Sequence, residues 1–196
     1  MKISPYIWVP NLWTIHTDLV RFLMARAVEG FTIDTNIKTW HDVARNRIVK
    51  WFLDSKCTHL WWIDSDIVPW ENFIELFKAN EDIVVGSYPI RQDEKFMGCY
   101  HLKEGWEDRW DLIEVDRMWL GMCVIKREVV EAVVKEHWMF CETQIMPDWL
   151  CSKSEDIVFA EWAQDLWYKI WLHKEVISGH TKMINFWNLI DLKFNN

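Results

Sequence analysis

The chain has 196 residues, of which 51% are hydrophobic and 27% charged, and a formal net charge of -8. That length suits one substantial core, and the composition is that of a globular chain rather than a disordered or fibrous one. An acidic balance without a basic block of Lys and Arg argues against a nucleic-acid partner, because phosphate contacts need clustered positive charge. It leaves room for a small anionic ligand held by a local Arg or a metal ion.

Ile3 to Val9 predicts a buried strand closed by Pro10, and Thr14 is placed to cap a helix that runs through Val28 and ends near Gly30. Phe31 to Ile37 predicts a second strand. From Asp42 to Leu53 apolar residues stand at Val43, Ile48, Val49 and Phe52, a helical spacing that leaves Arg45, Asn46, Arg47 and Lys50 to other faces. Thr58 to Ile63 is apolar almost throughout, as suits a parallel strand covered on both sides. Pro69 to Asn80 predicts a helix, and Asp82 to Tyr88 another buried strand. The texture then changes to strand-like runs, Phe96 to Leu102, Leu112 to Val115 and Met118 to Ile125, with acidic turns between them. Glu128 to His137 and Ser154 to Leu166 predict helices, and Lys169 to Ile177 a late strand leading into Gly179 and His180. The expectation is a single α/β domain over residues 1–196, with a central, mostly parallel twisted sheet flanked by helices and a mixed-strand half appended.

In THLWWIDSDIVP, Thr58 to Pro69, the apolar run stops at Asp64 and gives a second carboxylate at Asp66. In an open α/β sheet ligands bind beyond the carboxyl ends of the strands. Residues i and i+2 of an extended chain point the same way, so both acids can address one ion. Two hard oxygen ligands suit Mg²⁺ or Mn²⁺ holding a diphosphate. The plainer alternative is that one of them caps the helix expected from Pro69.

The neighbouring motifs, in their order, resemble glycosyltransferases of the GT-A fold, especially the small versions encoded by viruses and phages. The resemblance runs through ARNRIVKWFLDSKCTHLWWIDSDIVP (Ala44 to Pro69), DIVVGSYPIR (Asp82 to Arg91), MWLGMCVIKREVVEAV (Met118 to Val133), SEDIVFAEWAQDLWYKIWL beginning at Ser154, and SGH (Ser178 to His180). It implies a nucleotide-binding half over 1–95, an acceptor half over 96–180 and a C-terminal tail over 181–196. It further implies that Asp66 is a metal ligand, Asp64 a ligand or a ribose and diphosphate partner, and His180 the remote third ligand. Arg45 would face the nucleotide, and Pro10 and Asn11 would contact the base. Asp156 would be the general base of an inverting displacement, and Glu155 would bind acceptor hydroxyls. The donor would be a nucleoside-diphosphate sugar; the acceptor, whether protein, glycan or lipid-linked, is left open.

DSDIV also resembles the nucleophile motif of haloacid-dehalogenase-type phosphatases, which would need a downstream lysine such as Lys174. A third reading is a non-catalytic carbohydrate-binding module, since the chain holds 16 Trp, although scattered Trp more often fill a core. Cys57, Cys99, Cys123, Cys141 and Cys151 are odd in number and form no CxxC pair, which suits reduced thiols in a cytoplasmic protein, host cytoplasm for a viral one. No run approaches the length of a membrane span, and MKISPYIWVP lacks the pattern of a signal peptide. The apolar tail HTKMINFWNLIDLKFNN is read as packing on its own domain or across a homodimer, with shallow membrane docking the lesser alternative.

Overall fold

The computed structural model describes residues 3–9, 15–34, 41–88, 100–102, 105, 107–147 and 150–180. In chain order the elements are β1 (Pro5–Trp8), α1 (Thr17–Val28), β2 (Thr32–Asp34), α2 (His41–Asp54), β3 (His59–Ile63) and β4 (Ile67–Val68). A 3-10 turn (Glu71–Ile74) runs into α3 (Glu75–Lys78), followed by β5 (Ile83–Ser87), β6 (Tyr100–Leu102), β7 (Asp108–Arg109), β8 (Leu112–Met118) and β9 (Met122–Lys126). The remainder is α4 (Arg127–His137), β10 (Gln144–Ile145), β11 (Cys151–Lys153), α5 (Glu155–Asp165), β12 (Ile170–Ile177) and β13 (Gly179–His180).

The main sheet has the order β2-β1-β3-β9-β5-β12-β8-β6, with β7 alongside β8. Among the described residues only β9 and β8 run against the common direction, so most strands are co-directional as expected, in a sheet that is mixed where those two strands pair. Strand alternation divides the apolar side chains between two cores. Tyr6, Trp8, Leu60 and Trp62 face the layer that holds Ile48, Phe52, Val129 and Phe159 of α2, α4 and α5. Ile7, Val9, Trp61 and Ile63 face Leu19 and Leu23 of α1, Phe73 of the 3-10 turn and Phe77 of α3. Trp8 meets Trp62 edge-on at 4.3 Å, and Trp61 stacks on Phe73 at 4.9 Å, so the expected core role of Trp holds in the central strands. It fails at Trp110, Trp138 and Trp167, which are 94%, 89% and 93% exposed. All three sit in left-handed backbone, at φ 48°, 64° and 68°.

Two predicted elements are redrawn. The helix expected from Pro69 to Asn80 shrinks to the 3-10 turn and α3, because Ile67 and Val68 are drawn into a ladder with β13 and Asn72 Nδ2 donates to the Glu175 carbonyl on β12 at 2.7 Å. The runs at Leu112 and Met118 regroup as β8 through Met118 and β9 from Met122, broken at the loop Trp119–Gly121. Cys57, Cys123 and Cys141 are buried, and Cys151 is exposed. Among the described residues no helix is long and apolar enough to cross a membrane. Pro10, Asn11, Thr14, Cys99 and the tail 181–196 lie outside the described residues.

Candidate functional site

β3 ends where its partner turns away. The Asp64 backbone N–H donates to the Gly121 carbonyl at 2.9 Å, and the Ile67 N–H donates back to the Asp64 carbonyl at 3.0 Å, closing a tight turn over Asp64–Ile67. Asp64 and Asp66 are therefore the first and third residues of a turn, not alternate residues of an extended strand, which corrects the geometric argument made from the sequence. The carboxylates are still near neighbours. Burial, and the charge of Asp66 after it, raises the Asp64 pKa, while Arg45 works against the rise. Neither acid caps the helical turn that follows, whose cap position is Trp70 with no side-chain cap bond.

The turn is held from the far end of the chain. β13 runs antiparallel to β4 with Gly179 opposite Val68 and His180 opposite Ile67, so the His180 backbone lies across from the residue that follows Asp66. The His180 side chain lies outside the described residues. Among the described residues, no three His, Cys, Asp or Glu side chains form a metal-holding group by themselves.

A second cluster lies between α2 and α5. Arg45 is 4% exposed, not on a solvated face, and its guanidinium stands 5.2 Å over the Trp62 ring. Its Nε donates to Glu155 Oε1 at 3.3 Å, and its Nη2 lies 3.2 Å from Asp156 Oδ1. The geometry of the second contact leaves Asp156 Oδ1 without a hydrogen bond, and Arg45 Nη1 also has none among the described residues. One turn earlier on α2, His41 Nδ1 lies 3.7 Å from Glu155 Oε1, an ion-pair distance. Glu155 and Asp156 occupy the first turn of α5, where the helix dipole favours acids, and Ser154 at the cap position makes no side-chain cap bond.

One guanidinium thus faces several acids in a desolvated pocket. Burial alone would lower the Arg45 pKa, but Asp156, Asp64 and Glu155 together raise it, so the cation is firmly held. Asp156 is pushed up, first by burial and then by Glu155 and Asp64, with Arg45 opposing. Glu155 moves down: burial opposes this, but the His41 contact and Arg45 outweigh it. His41 is raised, above all by Glu155.

The loop between β8 and β9 joins the two clusters. The Leu120 backbone amide faces Asp156 and lowers its pKa somewhat, while the Gly121 carbonyl accepts from the Asp64 N–H. The Gly121 N–H donates to the Tyr88 hydroxyl at 3.1 Å. A Cβ at position 121 would fall 2.2 Å from that hydroxyl and 2.8 Å from Asp64 Oδ2, so only glycine lets both side chains close over this point. Sequence reasoning missed Gly121, Tyr88 and His41. The one signal was a glycine between apolar residues just ahead of a strand, which often marks a close approach.

No family model matches the chain, and no curated protein matches it. Solved structures do. The crystal structure of A197 from STIV aligns with a TM-score of 0.67 at 21% identity, over 92% of this chain and 86% of that one. The crystal structure of GalNAc-T7 with UDP, GalNAc and Mn2+ aligns with a TM-score of 0.57 at 10% identity. That alignment covers 91% of this chain and 44% of GalNAc-T7, so this chain spans less than half that protein's length. At these identities the likeness is one of fold: the chain has the GT-A-like fold that the motif order implied.

Proposed function

We propose that this protein is a glycosyltransferase that moves a sugar from a nucleoside-diphosphate sugar to an acceptor hydroxyl with inversion at the anomeric carbon. The observation that carries this reading is the contact of two adjacent loop residues with two different acids, Leu120 with Asp156 and Gly121 with Asp64, which draws a candidate base and a candidate diphosphate site to one loop. The likeness in fold to GalNAc-T7, whose structure holds UDP, GalNAc and Mn2+, supports this reading.

The donor set of Asp64, Asp66 and His180 fits a divalent cation in kind: hard oxygens with one imidazole. It fits in charge as well, because among the described residues the acids Asp64, Glu155 and Asp156 outnumber Arg45 and His41, the basic groups that face them. Mn²⁺ or Mg²⁺ bound there supplies Lewis-acid stabilisation of the departing diphosphate. The protein's own residues do the rest. Asp156, buried and raised in pKa, takes the proton of the acceptor hydroxyl as that oxygen attacks the anomeric carbon. The bond from that carbon to the diphosphate oxygen breaks, and its electron pair leaves with the diphosphate. Arg45 holds both acids of α5 in place, Glu155 binds acceptor hydroxyls, and Pro10 and Asn11 contact the base.

Calorimetry with UDP and GDP, with and without Mn²⁺ or Mg²⁺, tests the reading: binding is expected only with metal, and it identifies the base. Metal-independent binding of sugars alone would instead favour the carbohydrate-binding reading, for which the exposed Trp110, Trp138 and Trp167 offer stacking faces. The phosphatase reading finds less support, since Lys174 is paired with Asp108 of β7. Two variants separate the roles. Asp66→Ala should lose metal-dependent nucleotide binding and turnover together. Asp156→Asn should keep binding while sugar release falls by about 10²- to 10⁴-fold, the usual share of general base catalysis.

A further inference from the structure

We propose that His41 is a positioning residue: standing against Glu155 at the mouth of the site, it keeps that acid ionised and so leaves Asp156 as the member of the pair that accepts a proton. The proposal deepens the reading of Asp156 as base and rests on it for its catalytic meaning, but its geometry can be tested without any substrate.

The two acids are adjacent in sequence, share the first turn of α5 and are about equally buried, each with 9% of its side chain exposed, so nothing in their placement alone separates them. The groups around them do. Arg45, from α2, reaches both acids, but hydrogen-bonds only Glu155 Oε1 through Nε. His41, four residues earlier on the same helix, reaches that same Oε1 and pairs with no atom of Asp156 among the described residues. Glu155 therefore has a guanidinium and an imidazole at ion-pair distance, whereas Asp156 Oδ1 has one off-axis contact and no hydrogen bond. Around Asp156, Asp64 of the β3–β4 turn adds like charge, while Arg45 and the Leu120 amide favour its ionised form. Around Glu155 the balance is reversed, with His41 and Arg45 both favouring the carboxylate. Nearby, Asp42 of α2 is turned to the Val43 and Thr143 N–H groups, and the Cys141 thiol is buried and held neutral. Asp66 acts on Asp64. Besides the single Arg45 hydrogen bond, His41 is thus the basic group that stands against Glu155 and not against Asp156 among the described residues. At 65% exposed it can be replaced without opening the core.

Paired acids titrate as a unit, and the question is where the last proton resides. Carbon-13 NMR of the side-chain carboxyls, recorded on the full chain without metal and assigned with Glu155→Gln and Asp156→Asn, reads this directly. In the unsubstituted protein the Asp156 signal is expected to move in the upper titration step while Glu155 stays flat. In His41→Gln the Glu155 signal should acquire part of that same step, because the proton becomes shared. His41→Lys, which restores a cation, should return the original pattern. A flat Glu155 in His41→Gln overturns the proposal, as does a His41→Lys variant that behaves like His41→Gln; His41→Asn replaces His41→Gln should the latter express poorly. Sugar release is measured separately on the same proteins. An altered titration without any sugar release would refute the catalytic reading and leave the role of His41 standing.

Discussion

At the scale of single residues, the tightest constraint is Gly121. Its Cα is where the Tyr88 hydroxyl and the Asp64 carboxylate meet, and an added methyl would overlap both. Gly121→Ala should therefore weaken metal-dependent nucleotide binding by at least tenfold in calorimetry while the circular dichroism spectrum remains that of a folded protein, since the clash falls on two side chains that can move apart. A second residue acts on stability. His59 is buried at the start of β3 with Nδ1 2.8 Å from the Thr58 hydroxyl, and burial, followed by the Lys126 charge, lowers its pKa from 6.5 to about 4. On acidification the unfolded chain binds this proton first, so the stability that depends on neutral His59 is intact above pH 6.5 and is lost as pH falls toward 4. The slope is at most about 1.4 kcal/mol per pH unit. Urea unfolding of His59→Asn and the parent chain across that window should give curves that differ by this slope; parallel curves would assign the acid sensitivity to another group.

At the scale of elements, α2 is clamped at both ends by contacts that no local pattern announces. Near its start, the Asn46 amide donates to the Cys141 carbonyl at 2.6 Å and its carbonyl accepts from the Phe140 N–H at 2.6 Å, fixing the segment that follows α4. At its end, Arg127 donates to the carbonyls of Phe52, Ser55 and Cys57 and covers the Phe52 ring at 4.5 Å, satisfying the acceptors that a helix terminus leaves open. Asn46→Ala leaves a backbone donor and acceptor short of partners in a partly buried place, so it should cost roughly 2 to 4 kcal/mol in denaturant unfolding. What the sequence made legible in α2 was its apolar stripe, Ile48, Val49 and Phe52, because a period of 3.6 needs only neighbours along the chain. The pattern left Arg45 to another face of α2 without naming its acid partners, because Glu155 lies 110 residues away. The Asp64–Ile67 turn, closed by the Ile67 N–H on the Asp64 carbonyl, likewise runs into a ladder with the distant β13 that its own residues do not announce. The strands were easier: β1, β3 and β5 are apolar on both faces, and burial of both faces needs no partner to be named.

At the scale of the whole molecule, the two proposed halves are woven into one sheet. β9, from the later half, lies between β3 and β5, and β12 pairs with β5 on its other side. A cut near residue 95 would strip β5 of both neighbours and leave apolar edges bare. Co-expressed fragments 1–95 and 96–196 are therefore expected to be insoluble or unfolded when purified singly, and the intact chain to unfold in one transition by fluorescence and circular dichroism alike. Two separate transitions would show that the halves are independent units.

The short ladder between β4 and β13 has a consequence for the order in which the molecule is built. It closes a loop of more than a hundred residues with two residue pairs, among the most distant contacts in the chain and among the weakest at forming alone. During synthesis the turn that carries Asp64 and Asp66 emerges early, but its backbone partner at His180 leaves the ribosome only after the rest of the sheet has been made. The metal affinity proposed for this turn is therefore expected only at the last step of assembly, since a nascent chain carries the two acids without their backbone partner.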